Sequence, residues 1–274
     1  MVEVDNCPFC LSKRRIEIQK QTFDDIYNTL IDPTLNKSIR NWFACSKCDF
    51  IYRSPKLDKD EQKILYEKYR DISFRSEMPE EYFSRITSYD NHKSENYKKV
   101  FWIINNIKTN MLEPGYKILD VGCGGGVLLH KIKEMLPSVE TFGVEPNKAY
   151  SSLARNRSGA KKIITSYFNK NSFMEKFDLI VSSDVLEHVD NPQILLDDMY
   201  QSIKKEGCIF LEIPSPTNFG NLPSEHDIFN MAHHVFYTES ILKRYLEISG
   251  FKNIIVKDIK YPTGVWKLRS IAYK

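Results

Sequence analysis

Ile118-Leu119-Asp120-Val121-Gly122-Cys123-Gly124-Gly125-Gly126 is a short apolar run that ends in a carboxylate and then in a dense glycine cluster. Glycine has no Cβ and accepts positive φ, so a chain leaving a strand here turns sharply and brings its backbone against a ligand. Such a turn suits a nucleotide. Spacing decides which kind, because the dinucleotide pattern G-x-G-x-x-G, read from Gly122 and Gly124, requires a glycine where Val127 stands. The register here is G-x-G-x-G.

Two further stretches follow in order. Phe142-Gly143-Val144-Glu145-Pro146 ends a second apolar run in a carboxylate, which when ionised accepts hydrogen bonds from two donor hydroxyls. Phe177-Asp178-Leu179-Ile180-Val181-Ser182-Ser183-Asp184-Val185-Leu186-Glu187-His188-Val189 is the third. A glycine turn alone can serve only to pack a helix on a sheet; three motifs in this order are far more specific. From about Lys117 onward the chain resembles the class I S-adenosylmethionine-dependent methyltransferases. The resemblance implies an α/β, Rossmann-like sheet of seven strands in which the last strand in sequence is the one antiparallel member. It implies S-adenosylmethionine as cofactor, held by Asp120, Gly122, Cys123, Gly124 and Gly126 of the first loop. Glu145 and Pro146 then serve the ribose, and Ser183 and Asp184 follow the fourth strand. Many relatives place an acidic residue near the adenine amino group. Here Thr165-Ser166-Tyr167 stands in that neighbourhood, so Ser166, Tyr167 or a backbone group takes the task.

The pattern of residues supports this architecture independently. Apolar runs at 118–121, 141–144, 162–165, 179–182 and 208–213 alternate with helical patterns, which implies right-handed crossovers and a parallel sheet. Asn191-Pro192 provides an N-cap and an N1 proline, and Thr238 caps a helix that stops before Gly250. The runs 251–259 and 265–273, joined by a loop with Pro262 and Gly264, have no crossover between them and should pair antiparallel.

The N-terminal part reads differently. Cys7-Pro8-Phe9-Cys10 and Cys45-Ser46-Lys47-Cys48 are two C-x-x-C pairs separated by a polar and aromatic insert. Each spacing lets two thiolates converge on one ion, and together they complete a closed tetrahedral site. Structural zinc bound by Cys7, Cys10, Cys45 and Cys48 is the expectation, with iron or disulfides as alternatives. A metal also compensates for the small core of a segment this short. Phe50-Ile51-Tyr52 is expected as a closing strand. Asp58 and Glu61 resemble a capping box for a helix to about Tyr69, and Val100, Ile103, Ile104 and Ile107 mark one face of another. The expected division is a zinc-binding head over 1–55, a helical linker or lid over 56–112 and a methyltransferase domain over 113–274. Tyr82, Phe83 and Tyr89 are aromatic residues available either to close the cofactor cleft or simply to pack.

Composition narrows the function classes. The 274 residues carry a net charge of only +3, with no global basic field of the sort that marks nucleic-acid binding. No apolar stretch approaches a membrane span, and Met1-Val2-Glu3-Val4-Asp5-Asn6 lacks signal-peptide character, so a cytoplasmic setting is expected.

Methyl transfer is an in-line displacement that requires alignment and loss of a proton from a hydroxyl or amine acceptor. The segment His226 to Thr238 follows the fifth strand and should overhang the acceptor. Similar family members acting on sugars carry a histidine just before the aromatic-Thr cap, which matches His234 or His233 as catalytic candidates. Glu187 and His188 are alternative pocket residues, and His226, His233 and His234 lack the spacing of a helical metal site. The resemblance implies a small polar acceptor: a hydroxyl of a sugar, nucleotide-sugar or glycan precursor. The competing readings are an rRNA base methyltransferase and a non-catalytic cofactor-binding or zinc-mediated interaction module. The absence of an N/D-P-P-Y/F motif after the fourth strand disfavours amine methylation of nucleic acid.

Overall fold

A computed structural model of the protein describes residues 1–21, 27, 32, 40–68, 77–107, 113–261 and 264–274. Strands β1 (Arg15–Gln21), β2 (Arg40–Cys45) and β3 (Ile51–Ser54) pair antiparallel in sequence order. The first cysteine pair precedes β1, and the second forms the turn from β2 to β3. Residues 22–26, 28–31 and 33–39 of the insert between the pairs lie outside the described residues, as do Tyr69 and Pro262.

Three helices follow: α1 (Lys59–Lys68), α2 (Pro79–Thr87) and α3 (Glu95–Asn106). The capping box before α1 is formed. The Asp58 N–H donates to Glu61 Oε2 at 2.9 Å, and the Glu61 N–H to Asp58 Oδ1 at 2.9 Å. Helix α3 starts on Ser94, whose hydroxyl accepts from the Tyr97 N–H, and its apolar face buries Val100 and Ile103. Helix α2 has no long apolar repeat and buries only Phe83, which is why its pattern does not announce it.

The alternating part then runs β4 (Lys117–Val121), α4 (Val127–Met135), β5 (Glu140–Val144), α5 (Lys148–Arg157), β6 (Lys162–Ile164), β7 (Phe177–Ser183), α6 (Pro192–Ser202) and β8 (Ile203–Pro214). After β8 come a two-residue strand β9 (Val235–Phe236), α7 (Glu239–Ile248), β10 (Lys252–Lys260) and β11 (Trp266–Tyr273). The main sheet has seven strands in the order β10-β11-β8-β7-β4-β5-β6. Its pairings are parallel except those of β11, which runs antiparallel to both β8 and β10. This is the expected sheet, with the reversed strand inserted beside the edge. Both predicted caps form: Asn191 accepts from the Ile194 N–H, and Thr238 from the Ile241 N–H.

Apolar side chains fill both faces. Val100 and Ile103 of α3 and Leu128 and Ile132 of α4 pack with Ile118, Leu179 and Phe210 on one face. On the other, Leu196 and Met199 of α6 and Leu242, Tyr245 and Leu246 of α7 meet Leu119, Ile180 and Leu211. That second core continues into the cysteine-bearing head through Cys7, Cys45, Cys48, Phe50 and Tyr52. Phe50 lies edge-on to Tyr237 at 5.6 Å, and Phe9 sits 4.8 Å from Tyr245. Strand β9 was not legible as a strand. It pairs with β3, Ile51 opposite Phe236 and Tyr52 opposite Val235, and so becomes the fourth strand of the head. No described helix is long and apolar enough to cross a membrane.

Candidate active site

The chain builds outward from β4 through β5 to β6, then returns to place β7 on the other side of β4. At that reversal the loops leaving the strand ends diverge, and in open α/β sheets this is where ligands bind. A cavity of about 1120 Å³ opens there. It exceeds the roughly 300–1,000 Å³ of an ordinary small-molecule pocket, which leaves room for two ligands side by side.

One wall is the glycine loop. The N–H groups of Gly122 and Cys123 both donate to the Val144 carbonyl, at 2.9 and 3.0 Å, tying the loop to the end of β5. Gly122 has φ +78°, and a Cβ there would stand 2.4 Å from Val185 Cγ2. Gly126 has φ +81° and opens α4 so closely against α5 that a Cβ would lie 2.7 Å from Ser158 Cβ. Neither position accepts another residue without movement. Glu145 Oε2 accepts from the Gly124 N–H at 2.9 Å, and Oε1 from the Asn147 N–H at 2.8 Å. Glu145 lines the cavity, and a carboxylate accepts from more than one donor, so the residue suits a diol-bearing ligand such as a ribose.

Of the residues expected to touch the cofactor, Gly122, Glu145, Pro146, Ser166, Tyr167 and Asp184 line the cavity. Asp120, Cys123, Gly124, Gly126 and Ser183 stand behind that wall, where they shape it. Asp120 is buried, and burial raises its carboxyl to about 7 against the attraction of Lys99, with Glu145 adding repulsion. Tyr82 of α2 reaches the cavity; Phe83 instead is buried edge-on to His130, and Tyr89 accepts from Arg85 at the surface.

The opposite wall carries Glu187, His188 and His233, together with Tyr66 of α1 and His226. His188 Nδ1 lies 2.8 Å from the Ala232 carbonyl and His233 Nδ1 lies 2.6 Å from the Ile228 carbonyl. A carbonyl only accepts, so both imidazoles hold their proton on Nδ1 and keep a lone pair on Nε2. Glu187 is fully buried, and neither of its side-chain oxygens has a hydrogen-bond partner among the described residues. Burial, reinforced by Asp184, pushes the Glu187 carboxyl well above the usual range. Burial lowers His188 to about 3 and His233 to about 4, so both are neutral and weakly basic at neutral pH.

His234 is set apart from this group. Its N–H donates to the Glu187 carbonyl at 2.9 Å, but the side chain turns into a separate cavity of about 340 Å³ beside Arg53 and Asp190. There its Nδ1 is 3.6 Å from Asp190 Oδ1. Of the two candidate histidines, His234 therefore does not line the large cavity and His233 does.

Sequence reasoning missed a buried charge network beside the wall that carries Glu187, His188 and His233. Glu212 of β8 is fully buried and accepts from Arg269 Nε at 2.7 Å and from the Tyr261 hydroxyl at 2.7 Å, with Lys99 Nζ at 2.9 Å. Lys267 reaches the cavity and donates to both oxygens of Asp184 at 2.9 Å. Burial opposes ionisation of Glu212, but Lys99, Lys267 and Arg269 outweigh it and hold the carboxyl well below its ordinary value. The signal was a single charge inside an apolar strand run, since a buried charge demands a partner.

In the head, the sulfurs of Cys7 and Cys48 lie 3.7 Å apart and those of Cys10 and Cys45 3.5 Å apart, with all four thiols unbonded. All four ligand atoms lie within 4.8 Å of one another. A tetrahedron of thiolates with zinc–sulfur bonds of about 2.3 Å has edges of about 3.8 Å, so the set fits zinc.

Comparison with known proteins follows the same lines. The family described as "Methyltransferase domain" matches residues 74–256. A mitochondrial ubiquinone biosynthesis O-methyltransferase of Schizosaccharomyces pombe is 29% identical over 161 residues, covering 53% of this chain and 57% of that protein. A ubiquinone biosynthesis O-methyltransferase of Glaesserella parasuis is 30% identical over 114 residues, covering 39% of this chain and 48% of that protein. The chain thus spans about half the length of these curated relatives. Among solved structures, magnesium protoporphyrin IX methyltransferase from Synechocystis with bound SAH superposes with a TM-score of 0.54 at 13% identity, covering 78% of this chain and all of that one. The 4+2 cyclase SpnF superposes with a TM-score of 0.52 at 14% identity, covering 68% of this chain and 85% of that one. Likeness at that identity concerns the fold alone.

Proposed function

The chain belongs to the methyltransferase-domain family, and from that premise we propose that it transfers a methyl group from S-adenosylmethionine to a hydroxyl of a small polar acceptor. The observation that carries the proposal is Glu145, whose carboxylate accepts from the Gly124 and Asn147 N–H groups and lines the strand-reversal cavity beside the glycine loop. S-adenosylmethionine supplies an electrophilic methyl group.

The residues divide the remaining work. Glu145 accepts from the ribose hydroxyls, Gly122 admits the ligand against bare backbone, and Ser166 and Tyr167 border the adenine side. Tyr82 and Tyr66 cover the cavity from the helical segment and exclude water. Asp184, fixed by Lys267, and the wall of Glu187, His188 and His233 face the acceptor. Gln62, Asp227 and Asn230 line the same side beside Tyr66, an arrangement of polar groups around a ring face that suits a hydroxylated ring. A sugar or nucleotide-sugar is the finer form of this proposal. The relatives' printed names support O-methylation and come from ubiquinone biosynthesis, without mention of sugars. In this reading residues 1–55 form a zinc-held head, 56–112 a helical lid and 113–274 the methyltransferase unit, and zinc serves folding.

Incubation with methyl-labelled cofactor and two acceptor panels, nucleotide sugars and hydroxylated aromatics, followed by mass spectrometry, tests the proposal. Label in a hydroxyl-bearing product is expected. Calorimetric binding of NAD with no response to S-adenosylmethionine would overturn it.

A further inference from the structure

We propose that Arg53, in strand β3 of the cysteine-bearing head, is a positioning residue that sets where Asn230 and His233 stand in the wall of the large cavity. Arg53 is buried, and its donors converge on one turn of the segment between β8 and β9. Nη1 donates to the Asn230 carbonyl at 3.1 Å and to the His233 carbonyl at 3.2 Å. The Arg53 main-chain N–H donates to the His234 carbonyl at 3.1 Å. Nε donates to the Pro55 carbonyl at 3.3 Å, which ties the guanidinium to the end of its own strand. Asn230 and His233 both line the large cavity.

Bonds within the turn fix its shape. The His233 N–H donates to the Asn230 carbonyl at 3.2 Å, the Ala232 N–H donates to Asn230 Oδ1 at 2.9 Å, and His233 Nδ1 lies 2.6 Å from the Ile228 carbonyl. Local bonds of this kind do not fix where the turn sits. Its place is set by His188 at the Ala232 carbonyl and by Arg53 from the head. Only an arginine suits that second hold, because a planar guanidinium offers several donors in fixed directions, whereas a lysine ammonium is a compact point charge. Burying such a group is costly unless its donors are matched, and the turn carbonyls match them. Trp42 backs the arrangement: its ring lies 5.8 Å from the Arg53 guanidinium, 6.3 Å from Phe229 and 4.6 Å from Phe236, residues on either side of the turn.

The charge of Arg53 acts in the same direction as burial. Burial lowers His233 to about 4 and Arg53 adds to it, against the Ile228 carbonyl, Asp227 and Asp184. The head thus keeps His233 both in place and neutral. Its bearing on the acceptor rests on the methyltransferase reading. Misplacing a group at the reacting centre by about 1 Å costs roughly 10²-fold in rate, so loss of the Arg53 hold should appear in kcat.

The test uses the full chain with nitrogen-15 in its histidine rings, and the ring signal lost in His233→Gln identifies His233. In Arg53→Lys and Arg53→Met this signal should move, and its Nδ1 proton should exchange with water at least about tenfold faster. The amide spectrum outside residues 226–236 should stay that of the wild type, which shows that the variants fold. An unmoved His233 signal in the folded variants overturns the proposal, and so does collapse of the whole spectrum in both, which would make Arg53 a folding residue. Because this readout needs no turnover, its failure is distinguishable from failure of the methyltransferase reading. With an acceptor labelled in the panels above, kcat should fall at least about tenfold at unchanged KM for S-adenosylmethionine. An unchanged kcat beside a displaced His233 signal overturns the catalytic consequence alone.

Discussion

The carboxylate of Glu145 holds the main-chain N–H of Gly124 at 2.9 Å, across the gap between the ends of β5 and β4. The residue proposed to read the ribose is thus also the brace of the loop beside it. Glu145→Ala removes both functions, and cofactor affinity should fall by about 1.5–3 kcal/mol, the value of a charge-assisted hydrogen bond. Glu145→Gln retains one acceptor oxygen and should lose less. Calorimetry with S-adenosylhomocysteine measures the difference, and equal affinity for all three proteins would remove Glu145 from the site.

Gly126→Ala should destabilise the fold by about 1–3 kcal/mol, because the residue combines positive φ with a Cβ position 2.7 Å from Ser158 Cβ. Chemical denaturation reads this directly. A change within error would mean that α4 shifts freely away from α5.

Glu212 is bound by Lys99, Lys267 and Arg269 in a fully buried setting, so Glu212→Gln should cost about 3–5 kcal/mol by leaving cations uncompensated. The pH dependence has a definite sign. Because the folded carboxyl titrates below its unfolded counterpart, its contribution is complete above about pH 4.5 and fades as pH falls further. Wild type should therefore lose more stability than the variant between pH 5 and pH 3. Parallel melting curves across that range would count against the network.

His233 lines the large cavity and His234 the small one. Turnover should accordingly fall further in His233→Ala than in His234→Ala, the reverse of the order that sequence position suggests. Single-turnover rates with labelled cofactor decide between them.

Elemental analysis should find one tightly held zinc per chain, lost in Cys45→Ser with a fall in melting temperature, since a closed four-thiolate site acts through folding. A metal-free wild type with an unchanged melting temperature would remove the zinc.

What was legible in the sequence was what depends on neighbours along the chain. The strands at Ile118, Thr141 and Leu179, the caps at Asn191 and Thr238 and the glycine turn all follow from local pattern, and the sheet assembles them in the expected order. The misses share a different cause. Strand β9 is only two residues long and exists because β3 offers it an edge, a partner about 180 residues away. The separation of His233 from His234 depends on which way two adjacent side chains turn once the Glu187 carbonyl has taken the His234 N–H. Lys99 and Lys267 look like surface lysines until Glu212, an isolated charge in an apolar strand, draws them inward.

The short pairing of β9 with β3 has a consequence for how this scaffold can diversify. The segment from Ser215 to His234 is clamped at both ends, by β8 in the main sheet and by β9 in the head. Insertions or exchanges within it would alter the cavity wall proposed to face the acceptor without moving either anchor, which favours new substrate preferences arising there. The cysteine-bearing head is correspondingly no interchangeable cartridge. A chimera that swaps residues 1–55 alone must recreate an edge complementary to Val235 and Phe236, so successful grafts should carry the head and the β9 tether together.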